Sequence, residues 1–420
     1  MGTMKKHVVI VGAGVAGLCT AWFCKERGLD VTLIESTDST RHGCSYSNAG
    51  MVVPSHFIPL AAPGVLAQGL RWIWNPKSPF ALHPQPSLSF LRWGYEFWKA
   101  SSHQRVQNAV STLSQLHLAS RQLFENFASQ HQFNFNLTRN GLLMLCRTQK
   151  ALDEESHLVQ QARTLGIQAE TLSANQLAKL EPNVTLDVVG AVRFANDCHL
   201  SPETFLGELQ TRLEQNGARF LWNHTTTGWT THQNSITSVQ TSRGPVQGDT
   251  FVLCGGIQST HIARQLKLHL PLLAGKGYSL TLTQPQQSPN HCAILTEARV
   301  AVTPIGSTLR VGGTMELGAT NTRPNPKRIQ GITQSFCQYF TAFSPNAFSQ
   351  LPTWTGLRPV SPDGLPYLGP TRKWNNLQIA TGHAMLGLSL GPVTGQIIAQ
   401  LIDESSCPHN LQLLHPDRFG

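Results

Sequence analysis

The hydrophobic pattern sets in almost at once. His7 to Val11 is a short β-branched run that meets glycines at Gly12, Gly14 and Gly17. A helix-compatible stretch follows from Leu18 to Arg27, Gly28 stops it, and a second apolar run from Val31 to Ile34 ends at Glu35. That order predicts a compact βαβ unit. Helical spacing covers 104–130 and 151–165, with an alternating strand from Gly141 to Cys146 between them. A helix-then-strand unit covers 202–222, and paired strands run on to Val252-Leu253, ending in Cys254-Gly255-Gly256. Runs at 278–283, 300–303 and 308–313, separated by turns, predict an antiparallel sheet. The tail reads as a Pro/Gly-rich loop at 356–370, a strand at 377–380 and a helix near 393–403. Strand–helix units at both ends with an antiparallel segment between them predict an α/β fold in which one nucleotide domain is interrupted by insertions.

Composition narrows the class. The 420 residues suffice for two or three domains and a large core. With 13% charged and 40% hydrophobic residues and no apolar run near 18, a disordered polyelectrolyte and a helical membrane-spanning protein are both excluded. The net charge of +9 is spread over scattered residues, with no run beyond a pair such as Lys5-Lys6. It reads as a field that favours anions, not as a nucleic-acid site. Nine cysteines contain no C-x-x-C pair, which points to reduced thiols and a cytoplasmic location. Seventeen histidines contain neither H-x-H nor HExxH, so no metal site is expected. Between 70 and 98 the chain gathers Trp72, Trp74, Trp93 and Trp98 with Arg71, Lys77 and Arg92. That segment reads as core or lid, or as a peripheral contact with the inner face of a membrane.

Chemistry enters with Gly12-x-Gly14-x-x-Gly17, which follows a strand and opens a helix. Gly12 permits the tight turn, Gly14 admits a pyrophosphate close to the backbone, and Gly17 lets helix and strand pack closely. The helix N-terminus, with Ala13, Val15 and Ala16 around those glycines, offers N–H groups and partial positive charge to phosphate. Glu35 lies 35 − 17 = 18 residues past the last glycine, where a carboxylate accepts both ribose hydroxyls and repels a 2′-phosphate. Ser36 follows it. The fingerprint alone leaves NAD and FAD open.

Later segments favour FAD. Ser45-x-Ser47-Asn48-Ala49-Gly50-Met51 offers small and polar groups to a second phosphate and a flavin edge. Thr227 and Cys254-Gly255-Gly256 are placed at the cofactor as well. Near the C-terminus, Thr381-Gly382-His383 and Gly387-Leu388-Ser389-Leu390-Gly391 follow a strand and precede a helix, so backbone N–H groups there would face the side of a reduced flavin on which negative charge develops.

Several stretches together resemble one family: the N-terminal fingerprint, Ser47-Asn48-Ala49-Gly50, Ala61-Ala62-Pro63-Gly64, Gly141-Leu142-Leu143-Met144-Leu145-Cys146-Arg147-Thr148-Gln149, Gly275-Lys276-Gly277-Tyr278-Ser279-Leu280, and Trp354-Thr355-Gly356-Leu357-Arg358-Pro359 with Pro362-Asp363-Gly364. In order from about 7 to 402, they are similar to the FAD-dependent D-amino acid dehydrogenases of the D-amino acid oxidase and glycine oxidase superfamily. The resemblance implies non-covalent FAD and oxidation of a D-amino acid, or of a cyclic D-imino acid such as D-proline or hydroxy-D-proline, to an imino acid. A glycine- or sarcosine-type amine oxidase and a non-catalytic electron-relay subunit are the alternatives. Quinone, a carrier protein or O₂ is the expected acceptor. Arg358 is expected to grip the substrate carboxylate, with Tyr278 as a second donor and His383 and His56 as further contacts; Gly356 lies at the cofactor. The division expected is 1–56, 191–262 and 350–420 for an FAD domain, and 57–190 and 263–349 for a substrate domain. This chain departs from the family at Ala298, Arg299 and Val300, and at Gln258 where a tryptophan is usual.

Overall fold

In the computed structural model, which describes residues 5–40, 43–62 and 78–420, the first apolar run forms β1 (His7–Val11) with Val8 to Val11 buried. It leads into α1 (Val15–Glu26), then β2 (Asp30–Ile34), β3 (Met51–Val52) and β4 (Phe80–Leu82). Helices α2 (Leu88–Ala100) and α3 (His103–Ser129) follow, then β5 (Leu142–Cys146), α4 (Gln149–Thr164), β6 (Ala169–Ser173) and α5 (Ala174–Leu180). Next come β7 (Gly190–Phe194), β8 (Cys198–His199), α6 (Pro202–Gln215), β9 (Arg219–Leu221), β10 (Thr226–His232), β11 (Ser235–Thr241), β12 (Gly244–Gln247) and β13 (Thr250–Leu253). The chain goes on through α7 (Ser259–Gln265), β14 (Leu273–Leu282), β15 (Cys292–Leu295), β16 (Val300–Ile305), β17 (Thr308–Leu317) and α8 (Pro326–Tyr339). It closes with β18 (Trp354–Val360), β19 (Tyr367–Pro370), β20 (Leu377–Thr381) and α9 (Gly387–Ile402).

Two large sheets organise these elements. The first has the order β19-β20-β13-β1-β2-β9, with all neighbours parallel except β19. Its strands come from both ends of the chain and from the middle, so a discontinuous parallel layer carries the N-terminal glycines. The second sheet runs β18-β14-β17-β16-β15-β5-β7-β6, with β4 added on β17. It is mixed and not purely antiparallel, because β15 pairs β5 and β17 pairs β4 in parallel. One of its faces, with Tyr278, Leu280, Val302 and Val311, packs under Ile332 and Phe336 of α8. The other, with Leu142, Met144 and Val192, joins the core around α1 and α9.

Three expectations change. The loop expected at 356–370 is largely strand, since β18 runs into it as far as Val360 and β19 lies within it. Pro359 fits there because β18 is an edge strand, where a missing N–H leaves no ladder bond unmade. The last helix begins at Gly387 and not near 393, so the glycine-rich run is its first turn. The expected domain limits also cut across the sheets. Strands β7 and β18 fall in spans given to the FAD domain but pair in the second sheet.

Candidate active site

The cradle is built where β1 hands over to α1. Gly12 has φ +106°, and a side-chain carbon there would lie 2.5 Å from the Cys254 carbonyl oxygen. A Cβ on Gly17 would lie 1.9 Å from the Gly12 oxygen, so the helix can only start this close to the strand without one. Gly14 is the N-cap of α1 and brings no capping side chain of its own. Instead Ser45 Oγ accepts from Val15 N–H at 3.1 Å, so a hydroxyl and a helix N-terminus converge on one spot. Gly14's absent Cβ would meet only that Oγ, at 3.3 Å. Glu35 Oε2 accepts from Ala13 N–H at 2.9 Å, while its Oε1 takes bonds from Ser36 Oγ and Thr37 N–H. The turn thus gathers a helix N-terminus, a serine hydroxyl and an anchored carboxylate, groups that could hold phosphate and ribose.

The 45–51 segment crosses to the second sheet. Arg310 Nη1 donates to the Asn48 carbonyl at 2.8 Å, and Ser279 Oγ donates to that of Ser47 at 3.3 Å. Asn48 Oδ1 accepts from Gly50 N–H, and Met51 pairs with His199 in β3 and β8. Gly50 O receives Leu200 N–H at 2.8 Å. Ala49 packs against the main core. At the far end, α9 lies on α1 so closely that a Cβ on Gly391 would lie 2.5 Å from Val15 Cγ2. The N-termini of α1 and α9 are therefore neighbours, and their positive ends act on the same region. Leu388 and Ser389 sit in the first turn of α9. The Ser389 hydroxyl is used internally, accepting from Val53 N–H at 3.0 Å and lying 2.9 Å from His117 Nδ1. Cys254, Gly255 and Gly256 line the turn after β13; Thr381 Oγ1 donates to the Gly256 carbonyl, and Gly382 follows in a left-handed conformation. Ala16 packs against the same core. Thr227 is exposed on β10, three residues after His224, whose N–H donates to the Glu35 carbonyl.

Arg358 occupies β18 opposite Gly275 of β14. Its guanidinium lies over Gly277, where a Cβ would come within 2.1 Å of Cζ. Nη1 donates to the Thr314 carbonyl at 3.1 Å, and burial holds its pKa below the usual guanidinium range. Among the described residues no carboxylate pairs with it. Cys44, whose thiol burial pushes up, is close by, with Sγ 2.8 Å from where a Gly356 Cβ would be. A cleft of about 350 Å³ on the α8 side of the sheet, bordered by Glu297, Ser335 and Tyr339, shares only Thr314 with these surroundings.

The other expected contacts do not gather round Arg358. Tyr278 faces the opposite way: neighbours on a strand alternate sides, and Gly277 is the residue under the guanidinium. The Tyr278 phenol is buried beneath α8 and donates to Glu316, which also binds Lys276 at 3.3 Å and His83 at 2.7 Å. The expectation that Tyr278 shares the carboxylate of Arg358 is therefore corrected. His383 is buried with Nε2 2.9 Å from Thr394 Oγ1, fixing the loop onto α9, and burial lowers its pKa to about 4. His56 sits in the Val53 turn with Nδ1 3.1 Å from Ser55 Oγ, and Ser55 donates from both N and Oγ to Asp197. Burial, with Arg299 nearby, lowers His56 to about 4, and burial raises Asp197 to about 7. Thr314, Cys44 and Arg310 were not among the expected site residues. Only Gly277, inside a glycine–lysine–glycine run, carried a sequence signal for the space the guanidinium needs.

Comparison with known proteins identifies the family. Residues 7–401 match the DAO family model, described as FAD dependent oxidoreductase. A D-amino acid dehydrogenase of Granulibacter bethesdensis is 30% identical over 404 residues, covering 94% of this chain and 95% of that protein. One from Vibrio vulnificus is 28% identical over 419 residues, covering 96% and 98%. Among solved structures, glycine oxidase from Geobacillus kaustophilus superposes with a TM-score of 0.78 at 19% identity, covering 99% of both chains. Family, cofactor cradle and architecture coincide, and the chain belongs to the DAO family of FAD-dependent oxidoreductases, alongside the D-amino acid dehydrogenases.

Proposed function

We propose that this enzyme oxidises the Cα–N bond of D-amino acids and that Arg358 holds the substrate carboxylate. One observation carries the reading: among the described residues, a half-buried guanidinium donates to the Thr314 carbonyl and has no acid to neutralise it. Such a charge is costly to keep, and a planar carboxylate meets it with two parallel hydrogen bonds that fix orientation as well as charge. The relatives named D-amino acid dehydrogenase supply the substrate class.

FAD fits the residues present: a glycine N-cap on α1, the Ser45 hydroxyl at Val15 N–H, the Glu35 carboxylate across the turn and the N-terminus of α9 would hold it non-covalently. When bound, the flavin would supply the two-electron acceptor for this oxidation. The protein's own part is chiefly placement. Arg358 sets the Cα–H direction, and the missing side chain of Gly277 leaves the room its guanidinium occupies. Cyclic imino acids such as D-proline or hydroxy-D-proline belong to the proposed range, with buried Phe57 beside the polar Ser55-His56 turn. Electrons pass on to a quinone, a carrier protein or O₂. A cytoplasmic location with peripheral contact at the inner membrane face is part of this reading, and nine unpaired cysteines suit a reducing compartment.

An anaerobic screen following flavin bleaching tests the proposal. Reduction by D-amino acids, D-proline included, is expected, with L-enantiomers and sarcosine far slower. Preference for glycine or sarcosine would replace it by the amine-oxidase alternative. Flavin that no amino acid bleaches would replace it by an electron-relay role.

A further inference from the structure

Helix α2 places large apolar residues on two opposite sides. Trp93, Phe97 and Ala100 are buried against Leu273, Met315, Leu317 and Val360, and Trp93 Nε1 donates to the Val360 carbonyl at 3.1 Å. The outward side carries Leu88, Leu91, Tyr95 and Trp98, exposed by 85%, 66%, 56% and 64%. Steps of three, four and three residues put these four on one line, about 15 Å long at 1.5 Å per residue. Tyr95 and Trp98 lie ring against ring, with centroids 6.1 Å apart. Seven large apolar side chains are exposed among the described residues, and the four most exposed are on this one helix. That is a patch and not scatter.

Charge borders it. Arg92 and Lys99, both exposed, each follow a stripe residue by one position and so flank the line on one side. Arg264 and His269 of the neighbouring segment share the electrostatic surroundings of Arg92; Glu96 is the one acid of the helix. A basic flank beside a row of leucine, tyrosine and tryptophan is the make-up of a helix that lies in a lipid interface, aromatic rings at headgroup depth and cations on phosphate.

We propose that the outward face of α2 docks the enzyme on an anionic lipid bilayer, with Leu88, Leu91, Tyr95 and Trp98 entering the interface and Arg92 and Lys99 meeting lipid phosphate. A second copy of the chain fits less well. Each copy carries +9, so pairing these faces brings like charges together. The area is also too small: at roughly 150–250 Å² for a whole aromatic side chain, four partly exposed side chains fall short of the roughly 800 Å² per partner that a stable dimer buries. A bilayer needs only a few inserted side chains. The proposal deepens the peripheral contact above by naming the surface. Its test uses no turnover, so its failure leaves the amine-oxidation reading standing.

The test is co-sedimentation of the FAD-loaded enzyme with vesicles of phosphatidylcholine and phosphatidylglycerol at 3:1, against phosphatidylcholine alone. Binding to the anionic vesicles is expected, weakening as salt rises. The double variant Leu91→Glu with Trp98→Glu should bind at least tenfold more weakly, and Lys99→Glu should lose most of the preference for anionic lipid. Flavin content should be unchanged in both. Absence of wild-type binding, or equal binding by the double variant, would overturn the proposal. So would a wild-type dimer in sedimentation velocity that the double variant dissolves, or a large fall in Tm in that variant, which would mean that the fold itself packs this face.

Discussion

A methyl group added at Gly277 reaches the guanidinium proposed to hold the substrate carboxylate. In Gly277→Ala the new carbon would lie 2.1 Å from Arg358 Cζ, and as close to both Nη atoms. Both cannot stay. The guanidinium is the far end of a flexible side chain, so it moves and the strand does not, and it leaves the carbonyl of Thr314. Stability should change little, because the displaced group sits at the end of four rotatable bonds and not in a packed core. Substrate capture should suffer. A hydrogen bond to a charged group contributes roughly 1.5–3 kcal/mol, and each 1.4 kcal/mol is a factor of ten, so loss of one such bond lowers kred/Kd by about 10- to 150-fold. The assay is stopped-flow anaerobic flavin reduction at varied D-amino acid concentration, with flavin absorbance and Tm measured alongside. Flavin content near wild type and a loss mainly in Kd are expected. An unchanged kred/Kd would refute the placement of the guanidinium, and loss of flavin would assign this strand to the cofactor instead.

Two further outcomes follow from the geometry. Gly14→Val should abolish FAD retention while the apoprotein still folds, since its Cβ meets only Ser45 Oγ at 3.3 Å but occupies the space intended for phosphate; the ratio of flavin to protein absorbance, with apoprotein Tm as control, reads this directly. The pH dependence of stability should slope upward from pH 4 to 6.5. Burial lowers His56, His199 and His383 to about 4 and His117 to about 3. The unfolded chain therefore binds more protons in that window, and stability fully present above 6.5 is lost as pH falls towards the folded pKa values. Asp197, raised to about 7, acts in the opposite sense because the folded state keeps its proton longer. Four groups outweigh one, so the urea midpoint of the apoprotein should be lower at pH 5 than at pH 7.5. Equal midpoints would contradict the burial of these histidines.

What the sequence disclosed depended on how local the signal was. The cradle was legible because strand, glycines, helix and acid lie within 29 residues, His7 to Glu35, and each constrains the next. The parallel layer was legible only as fragments, since β13 and β20 join it from more than 200 residues away. Strand β18 was hidden by Gly356 and Pro359, which an edge position tolerates and a sequence window reads as loop. Likewise Gly387 and Gly391 masked the start of α9, where close packing on α1 requires small residues. The side to which Tyr278 points was not legible, because it follows from the pairing of β14 with β18, some 80 residues on. Nor was the lack of an acid beside Arg358 among the described residues, which depends on what the fold does not bring near it. Pro63-Gly64 of one family motif, and Arg71, Trp72, Trp74 and Lys77 of the tryptophan-rich stretch, lie outside the described residues.

The central claim, that Arg358 recognises the carboxylate of a D-amino acid, is tested most directly by comparing Arg358→Leu with wild type in anaerobic flavin reduction by a D-amino acid, its L-enantiomer and its D-amide. Wild type should strongly prefer the D-carboxylate over both. The leucine variant should keep its flavin, lose that preference and fall by roughly 3–5 kcal/mol in transition-state stabilisation, the scale for removing one partner of a desolvated charge pair. Arg358→Lys should restore only part of the rate, since an ammonium lacks the two-pronged geometry. A leucine variant that reduces as fast as wild type and still discriminates acid from amide would contradict the account.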